Sequence, residues 1–380
     1  MNALRHTPLY GEHVALGARM MEFGGFEMPV DYAGILREHA AVRERAGLFD
    51  LSHMAQYELR GEGAAAWADE LTVNDVASMP PFAARYNLFT SERGGVLDDV
   101  IFYRLPDRFL IVVNAGNAAK MWPYLRAAVA GRDDVTLESH HGSRALVAVQ
   151  GPRAVELVAA LCSDDISKLK YYGCREMAVA GFSALVARTG YTGEDGFELF
   201  VAGGDAPGLW RALLACGTTV GLEPAGLGAR DVLRLEAGMP LYGHELNEDI
   251  TPVAGGQRWA VKFGKPSFPG KDALAAQVAR DDYDRIAGIV LEGRAPARAG
   301  YAVYAGDERV GEVRSGSLAP SVGNKNVATV LVGKSAATLG TVLAVEIRGT
   351  RHAATVVPLP FYKRKIEGDS IAPTRGTSVQ

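Results

Sequence analysis

The run "ARYNLFTSERGGVLDDVIFYRLPDRFLIVVNAG", from Ala84 to Gly116, narrows the possible folds more than any other stretch. Three apolar runs are separated only by the turns "SERGG" and "LPD". Connections this short join antiparallel neighbours, because parallel strands need a crossover of a dozen or more residues. The run therefore predicts an antiparallel meander. Helical patterns stand apart from it: "GEGAAAWADELTV", with Ala64, Trp67 and Leu71 on one side, and "NAAKMWPYLRAAVA". Antiparallel strands with segregated helices predict an α+β fold, not a doubly wound parallel sheet.

The same reading extends along the chain. Residues 8–20 read as a short amphipathic helix. In "DYAGILREHAAVRERAGLFD", Ile35, Val42 and Ala46 fall near helical spacing, His39 interrupts the stripe, and Gly47 reads as the stop. "HMAQYELRG" alternates like a strand, and "ALVAVQGPRAVELVAALC" reads as a strand and a helix cornered at Gly151-Pro152. "REMAVAGFSALVARTGYTGEDGFELFVAG" reads as a strand pair around a polar turn, and "DAPGLWRALLACG" and "GLGARDVLRLEAG" as helices. Beyond residue 270, runs such as "YDRIAGIVLEG", "NVATVLVG" and "TVLAVEIRG" alternate with Gly-rich turns, the signature of a small β-barrel or sandwich. "GKPSFPGKDALAAQVARDDY" reads as the linker, giving expected domains 1–270 and 285–365. No repeat of fixed period is visible.

A formal net charge of -4 argues against nucleic acid or an anionic membrane as the main partner. The N-terminal stretch has no apolar run of signal-peptide length, and no segment offers the roughly 20 apolar residues of a membrane span. Cys162, Cys174 and Cys216 are odd in number and lack zinc or redox spacing, so they read as buried free thiols of a reducing cytoplasm. Walker, GxGxxG, GxSxG and HExxH patterns are missing. His53 reads as a hydrogen-bonded structural histidine. His140 and His141 diverge as neighbours in an extended segment, so no metal site is expected.

Three charged placements need explaining. Asp98 shares a strand face with Val100 and Phe102, and Asp99 shares the other with Ile101 and Tyr103. Either both aspartates sit in water at the strand's start or one has a function. The apolar run that follows argues that both faces are covered. Glu198 lies among Phe197, Leu199 and Phe200, while Glu194 and Asp195 belong to a solvated turn. A carboxylate placed like Glu198 needs donors, either an internal arginine or a ligand with two adjacent N–H groups. Arg230 and Arg234 are one helical turn apart. They pair on the surface with Asp231 and Glu236, or one of them holds a carboxylate.

The ordered motifs "TPLYGEHVALGARMMEFGGFEMPVDYAGILREHAAVRERAGLFDLSHM", "GGVLDDVIFYRL", "LIVVNAGN", "VAVQGP", "RTGYTGEDGFEL", "GLGARDVLRLEAGMPLYGHELNEDITPVAGG" and "GEVRSGSLAPSVGNKNVA" span nearly the whole chain. With them the chain resembles the T-protein family of the glycine cleavage system, the aminomethyltransferases. The resemblance implies a three-lobed cloverleaf: two intertwined α+β lobes and a C-terminal β-barrel around a central channel for tetrahydrofolate. It implies lipoylated H-protein as the partner, a cytoplasmic setting, and no metal.

Residue by residue, the resemblance implies that Asp99 faces the folate near N10, orienting the amine and stabilising positive charge. An ordinary aspartate is a weak base at neutral pH, so proton relay is a secondary role. Glu198 reads the pterin's amino-pyrimidine edge by paired hydrogen bonds. Met54, Tyr86, Ile101, Tyr103, Val113 and Asn114 line the slot. Tyr191 packs on the ring, Arg230 holds the region by charge, and Tyr362 belongs to the C-terminal closure. Two alternatives stand beside this reading: a folate-dependent demethylase of the same superfamily, and a folate-binding module without transferase chemistry.

Overall fold

The computed structural model describes residues 3–364. The first helix is shorter than its pattern implied. α1 (Tyr10–Ala15) is followed by Gly17 at φ 72, which turns the chain into β1 (Arg19–Phe23), paired antiparallel with β2 (Phe26–Asp31). Glycine reaches this left-handed backbone without Cβ strain. α2 (Ile35–Glu44) ends before Gly47, which lies inside the fully buried strand β3 (Ala46–Asp50). A Cβ on Gly47 would stand 2.4 Å from Val42, so close helix–strand packing, not helix termination, accounts for this glycine.

The meander forms as expected. β4 (Ala55–Arg60), α3 (Ala64–Leu71), β5 (Ala83–Thr90), β6 (Val96–Arg104), β7 (Arg108–Val113), α4 (Ala118–Val129) and β8 (Thr136–Ser139) follow one another. The sheet order is β5-β6-β7-β4-β8. Trp67, Phe89, Phe102, Ile111 and Leu125 bury one sheet face against α3 and α4.

A second unit repeats this succession: β9 (Arg144–Gln150), α5 (Ala154–Leu161), β10 (Cys174–Val179), β11 (Phe182–Ala187), β12 (Gly196–Ala202), α6 (Ala206–Gly217) and β13 (Leu222–Pro224). Three strands stand where the sequence suggested a pair, because Ala180 and Gly181, at φ 52 and 87, add a tight turn. The sheet order β10-β11-β12-β9 matches β5-β6-β7-β4, and β3 then separates β9 from β13. The units join at equivalent points. Phe82 (φ 64) and Tyr172 (φ 62) each precede a meander, with Ala84 N donating to Tyr172 O at 2.7 Å and Cys174 N to Phe82 O at 2.9 Å. The faces not covered by helices meet in a core that includes Phe49, Tyr103, Val112, Ala148, Leu185 and Phe200.

α7 (Leu227–Glu236) and α8 (Lys271–Arg280) lead to a closed barrel. The segment read as a linker contains α8, whose Leu274 is buried with Val73, Leu88 and Phe268, so it packs on the first unit. β14 (Arg285–Leu291), β15 (Ala302–Ala305), β16 (Glu308–Ala319), β17 (Lys325–Val332), β18 (Val342–Ile347) and β19 (Thr350–Val357) close in the order β14-β17-β16-β15-β18-β19. Ile289, Val303, Val313, Val330 and Val345 fill the barrel core. Residue 365, the end of the expected second domain, lies outside the described residues.

Arg234 keeps the expected bond to Asp231, at 2.8 Å, but neither Arg234 nor Glu236 lies on the surface. Arg234 is buried and donates to Glu245 at 3.1 Å and to the barrel's Ser315 Oγ at 2.8 Å. Glu236 bonds His39 at 2.8 Å and Arg43 at 2.8 Å, and it accepts from Ser321 N at 2.9 Å. Buried charges need such partners. They explain why His39 interrupts an apolar stripe. Glu194 and Asp195 are not free in water either, being paired with Arg43 and Arg188.

Candidate active site

The sheet faces that meet between the units leave a cavity of about 220 Å³. Its wall includes Asp99, Ile101 and Tyr103 from β6, Tyr86 from β5, Glu198 from β12 and Arg230 from α7. Met54, Asn114 and Tyr191 also line it. Nine of the eleven residues singled out from the sequence therefore share one cavity.

Val113 does not. It packs in the core of the first unit with Ile111 and Met121, while Val112 lines the cavity. Strand alternation puts Val112 on the side of Asn114 and turns Val113 away. Tyr362 also lies off the cavity. Its ring covers the Arg43 guanidinium at 4.0 Å, and its N–H donates to Glu236 O at 2.7 Å. It closes the buried ion cluster under the barrel.

The aspartate pair is not at a solvated strand end. Asp98 is fully buried and Asp99 is half-buried at the cavity. A register shift between Phe89 and Thr90 passes over Leu97 just before the pair. Asn114, where β7 ends, reaches back to both aspartates. Its Nδ2 stands 2.8 Å from Asp98 Oδ1, 2.8 Å from Asp99 Oδ1 and 3.0 Å from Asp99 O. Asp98 accepts also from Asn117 Nδ2 at 2.6 Å and Asn114 N at 3.1 Å, and Tyr86 OH donates to Asp99 Oδ2 at 3.1 Å.

Burial pushes Asp98 up to about 8, with the Asp99 charge adding to it. Burial likewise pushes Asp99 up to about 6, against the hydrogen bonds from Tyr86 and Asn114 and the Arg230 charge. The view of Asp99 as an ordinary aspartate is thereby corrected. A carboxylate that takes up a proton near pH 6 is a far better base than one at the usual value.

At the other end, Glu198 forms neither a surface contact nor an arginine bridge. Its Oε2 accepts from Tyr103 OH at 2.9 Å and from Thr189 Oγ1. Arg230 is half-buried and makes no ion pair among the described residues. Its guanidinium lies 4.4 Å over the Tyr191 ring, a cation–π contact. Tyr191 is fixed in turn by its hydroxyl on Pro240 O. Burial lowers the Arg230 pKa, partly opposed by the Glu198 carboxylate.

Sequence reasoning missed Trp259 and Tyr172. Trp259 is 60% exposed and stacks on Tyr86 at 5.6 Å, and Tyr172 is the positive-φ residue at the junction of the units. Trp259 sits in a single 3-10 turn, Arg258–Ala260, too short to show periodicity, and only its neighbourhood gives it a role.

His53 departs from its expected part: it is buried, and neither ring nitrogen has a hydrogen-bond partner. Burial, with the Arg230 charge second, lowers it to about 3, so it is neutral. His140 and His141 do diverge, His141 Nε2 facing His53 O at 3.2 Å. His140, Glu58 and Glu138 bring ligand-type atoms within 4.8 Å of one another, but Arg60 and Arg144 already donate to Glu58 at 2.8 and 3.0 Å. All three cysteines are free thiols, and burial pushes Cys162 up to about 11 and Cys174 to about 12.

Comparison with known proteins identifies the two parts of the chain. Residues 9–265 match the GCVT N-terminal domain, and residues 285–363 match the glycine cleavage T-protein C-terminal barrel domain. The chain belongs to the glycine cleavage T-protein family. It is 42% identical to an aminomethyltransferase of Desulfitobacterium hafniense over 96% of this chain and 100% of that one. It is 46% identical to an aminomethyltransferase of Streptomyces avermitilis over 96% of this chain and 99% of that one. Glycine cleavage system aminomethyltransferase T from Bartonella henselae has a similar crystal structure, with a TM-score of 0.88 at 34% identity, covering 95% of this chain and 99% of that one. The T-protein fold of two α+β lobes and a barrel is thus that of this chain.

Proposed function

We propose that the chain is the aminomethyltransferase of a glycine cleavage system, with tetrahydrofolate as its second substrate. The aminomethyl group arrives as a thio-adduct on the lipoyl arm of H-protein. Its C–S and C–N bonds break, and the carbon is bound by N5 and N10 of the folate. Those nitrogens give up two protons, one of which ends on the dithiol sulfur while the other leaves with ammonia.

One observation carries this reading: Asp99 and Glu198 line one cavity, each held by hydroxyl donors, with Arg230 and Tyr191 between the units. Glu198 offers a fixed carboxylate to the paired N–H groups of the pterin's amino-pyrimidine. Asp99 then stands at N10, orients it, stabilises the cationic carbon and takes up a proton. Ile101, Met54 and Tyr86 supply apolar wall. Three free thiols suit a reducing cytoplasm, and among the described residues no helix is long and apolar enough to cross a membrane.

The test is tetrahydrofolate-dependent release of ammonia from aminomethyl-lipoyl H-protein. Turnover with H-protein supports the reading. Turnover only with a small methylated donor would move the chain to the demethylases of the superfamily.

A further inference from the structure

A buried carboxyl, Asp98, and a half-buried one, Asp99, are neighbours in β6, and one amide touches both. Asn114 Nδ2 is 2.8 Å from an oxygen of each, although only two hydrogens are available for its three acceptors. Asp98 has amide donors only, from Asn114 and Asn117, and no cation contacts it among the described residues. The other groups facing the pair are Tyr57 on β4, Tyr86 on β5, the loop residues Tyr191 and Tyr242, and Arg230 on α7. Burial raises all four phenols, which stay neutral, so among these groups of the described residues Arg230 is the cation, and it acts on Asp99. Two negative charges this close, with no cation bonded to either among the described residues, are unfavourable away from water.

We propose that Asp98 is a positioning residue for Asp99: tied through Asn114, the two carboxyls keep one proton between them across the neutral range. That proton belongs to the pair, and Asp99 is the member that faces the cavity. The pair thus presents a single negative charge to the reacting carbon, in an orientation fixed by Asn114. This rests on the role given to Asp99 above. The raised values of both groups agree with it and belong to the pair as two successive steps.

The test is NMR titration of the full chain labelled with 13C at the aspartate carboxyls, without folate or H-protein. Its outcome is therefore separate from that of the activity assay. The wild-type protein should show two carboxyl signals titrating near pH 6 and pH 8. Asp98→Asn should remove the upper step and keep the lower. Asn117→Ala, a milder change that withdraws one donor from the Asp98 anion, should raise the upper step by about one pH unit. If both signals titrate below about pH 5 in the wild type, or if the upper step survives Asp98→Asn, the proposal fails.

Discussion

The Tyr103 hydroxyl donates to Glu198 Oε2 at 2.9 Å across 95 positions of sequence. Tyr103 belongs to the first unit and Glu198 to the second, so the bond spans the cavity floor between them. Tyr103→Phe leaves Thr189 as the donor to that oxygen. A bond to a charged acceptor contributes about 1–2 kcal/mol, so tetrahydrofolate affinity should fall about 5–30-fold with little change in kcat. Fluorescence titration beside steady-state rates would show the split. A fall in kcat alone would contradict a binding role.

Asp99→Asn and Glu198→Ala should separate chemistry from binding. The first keeps shape and removes the anion. Turnover should fall about 100-fold or more, while folate affinity changes within about threefold. The second should lose affinity first. Equal losses of binding in both variants would count against the roles assigned.

Activity should fall on the acid side as Asp99 takes up its proton near pH 6. The limb should sit well above the ordinary aspartate range, and a pH–rate profile under saturating substrates reads it directly. A limb near pH 4 would show that the carboxylate is more solvated than its surroundings imply.

Stability should carry the opposite sign from that of an ion-paired carboxylate. The folded state holds protons on Asp98 and Asp99 that the unfolded state releases near the ordinary aspartate value of 3.8. That contribution is full below the unfolded value and is lost as pH rises through about 6 and about 8. Asp98→Asn should therefore stabilise the fold more at pH 9 than at pH 5, by about 1 kcal/mol or more of difference in urea denaturation. An equal effect at both pH values would contradict the burial argument.

Gly95 has no room for a side chain. A Cβ there would stand 1.8 Å from Glu248 O, and the next residue, Val96, donates its N–H to Asn247 O at 2.9 Å. Gly95→Ala must push the 247–250 loop off the strand that carries the aspartates. It should cost about 3 kcal/mol or more and reduce turnover, whereas Gly11→Ala, with nothing within 4 Å, should change stability by no more than about 1 kcal/mol.

The meander and the barrel were legible because each has a local signal, whereas most of the site came from the resemblance to the T-protein family. Short turns announce antiparallel strands, and a charge inside an apolar run announces a partner. The partners themselves were not legible. Arg43 comes from 193 residues away to meet Glu236, and nothing near either residue says so. Val113 came from the family resemblance, and strand alternation sends it to the core while Val112 lines the cavity. The duplicated β-α-β-β-β-α-β order escaped notice because the two copies agree in their succession of elements and not in a visible residue pattern.

The pairing of Phe82 with Cys174 and of Ala84 with Tyr172 brings corresponding points of the two copies together. Neither copy alone could close around a ligand, because each supplies one acidic wall and leaves its opposite side bare. The matching order of elements in the two halves supplies the enclosure. A fragment cut between the copies would therefore keep a sheet and its helices but lose every trace of the pocket.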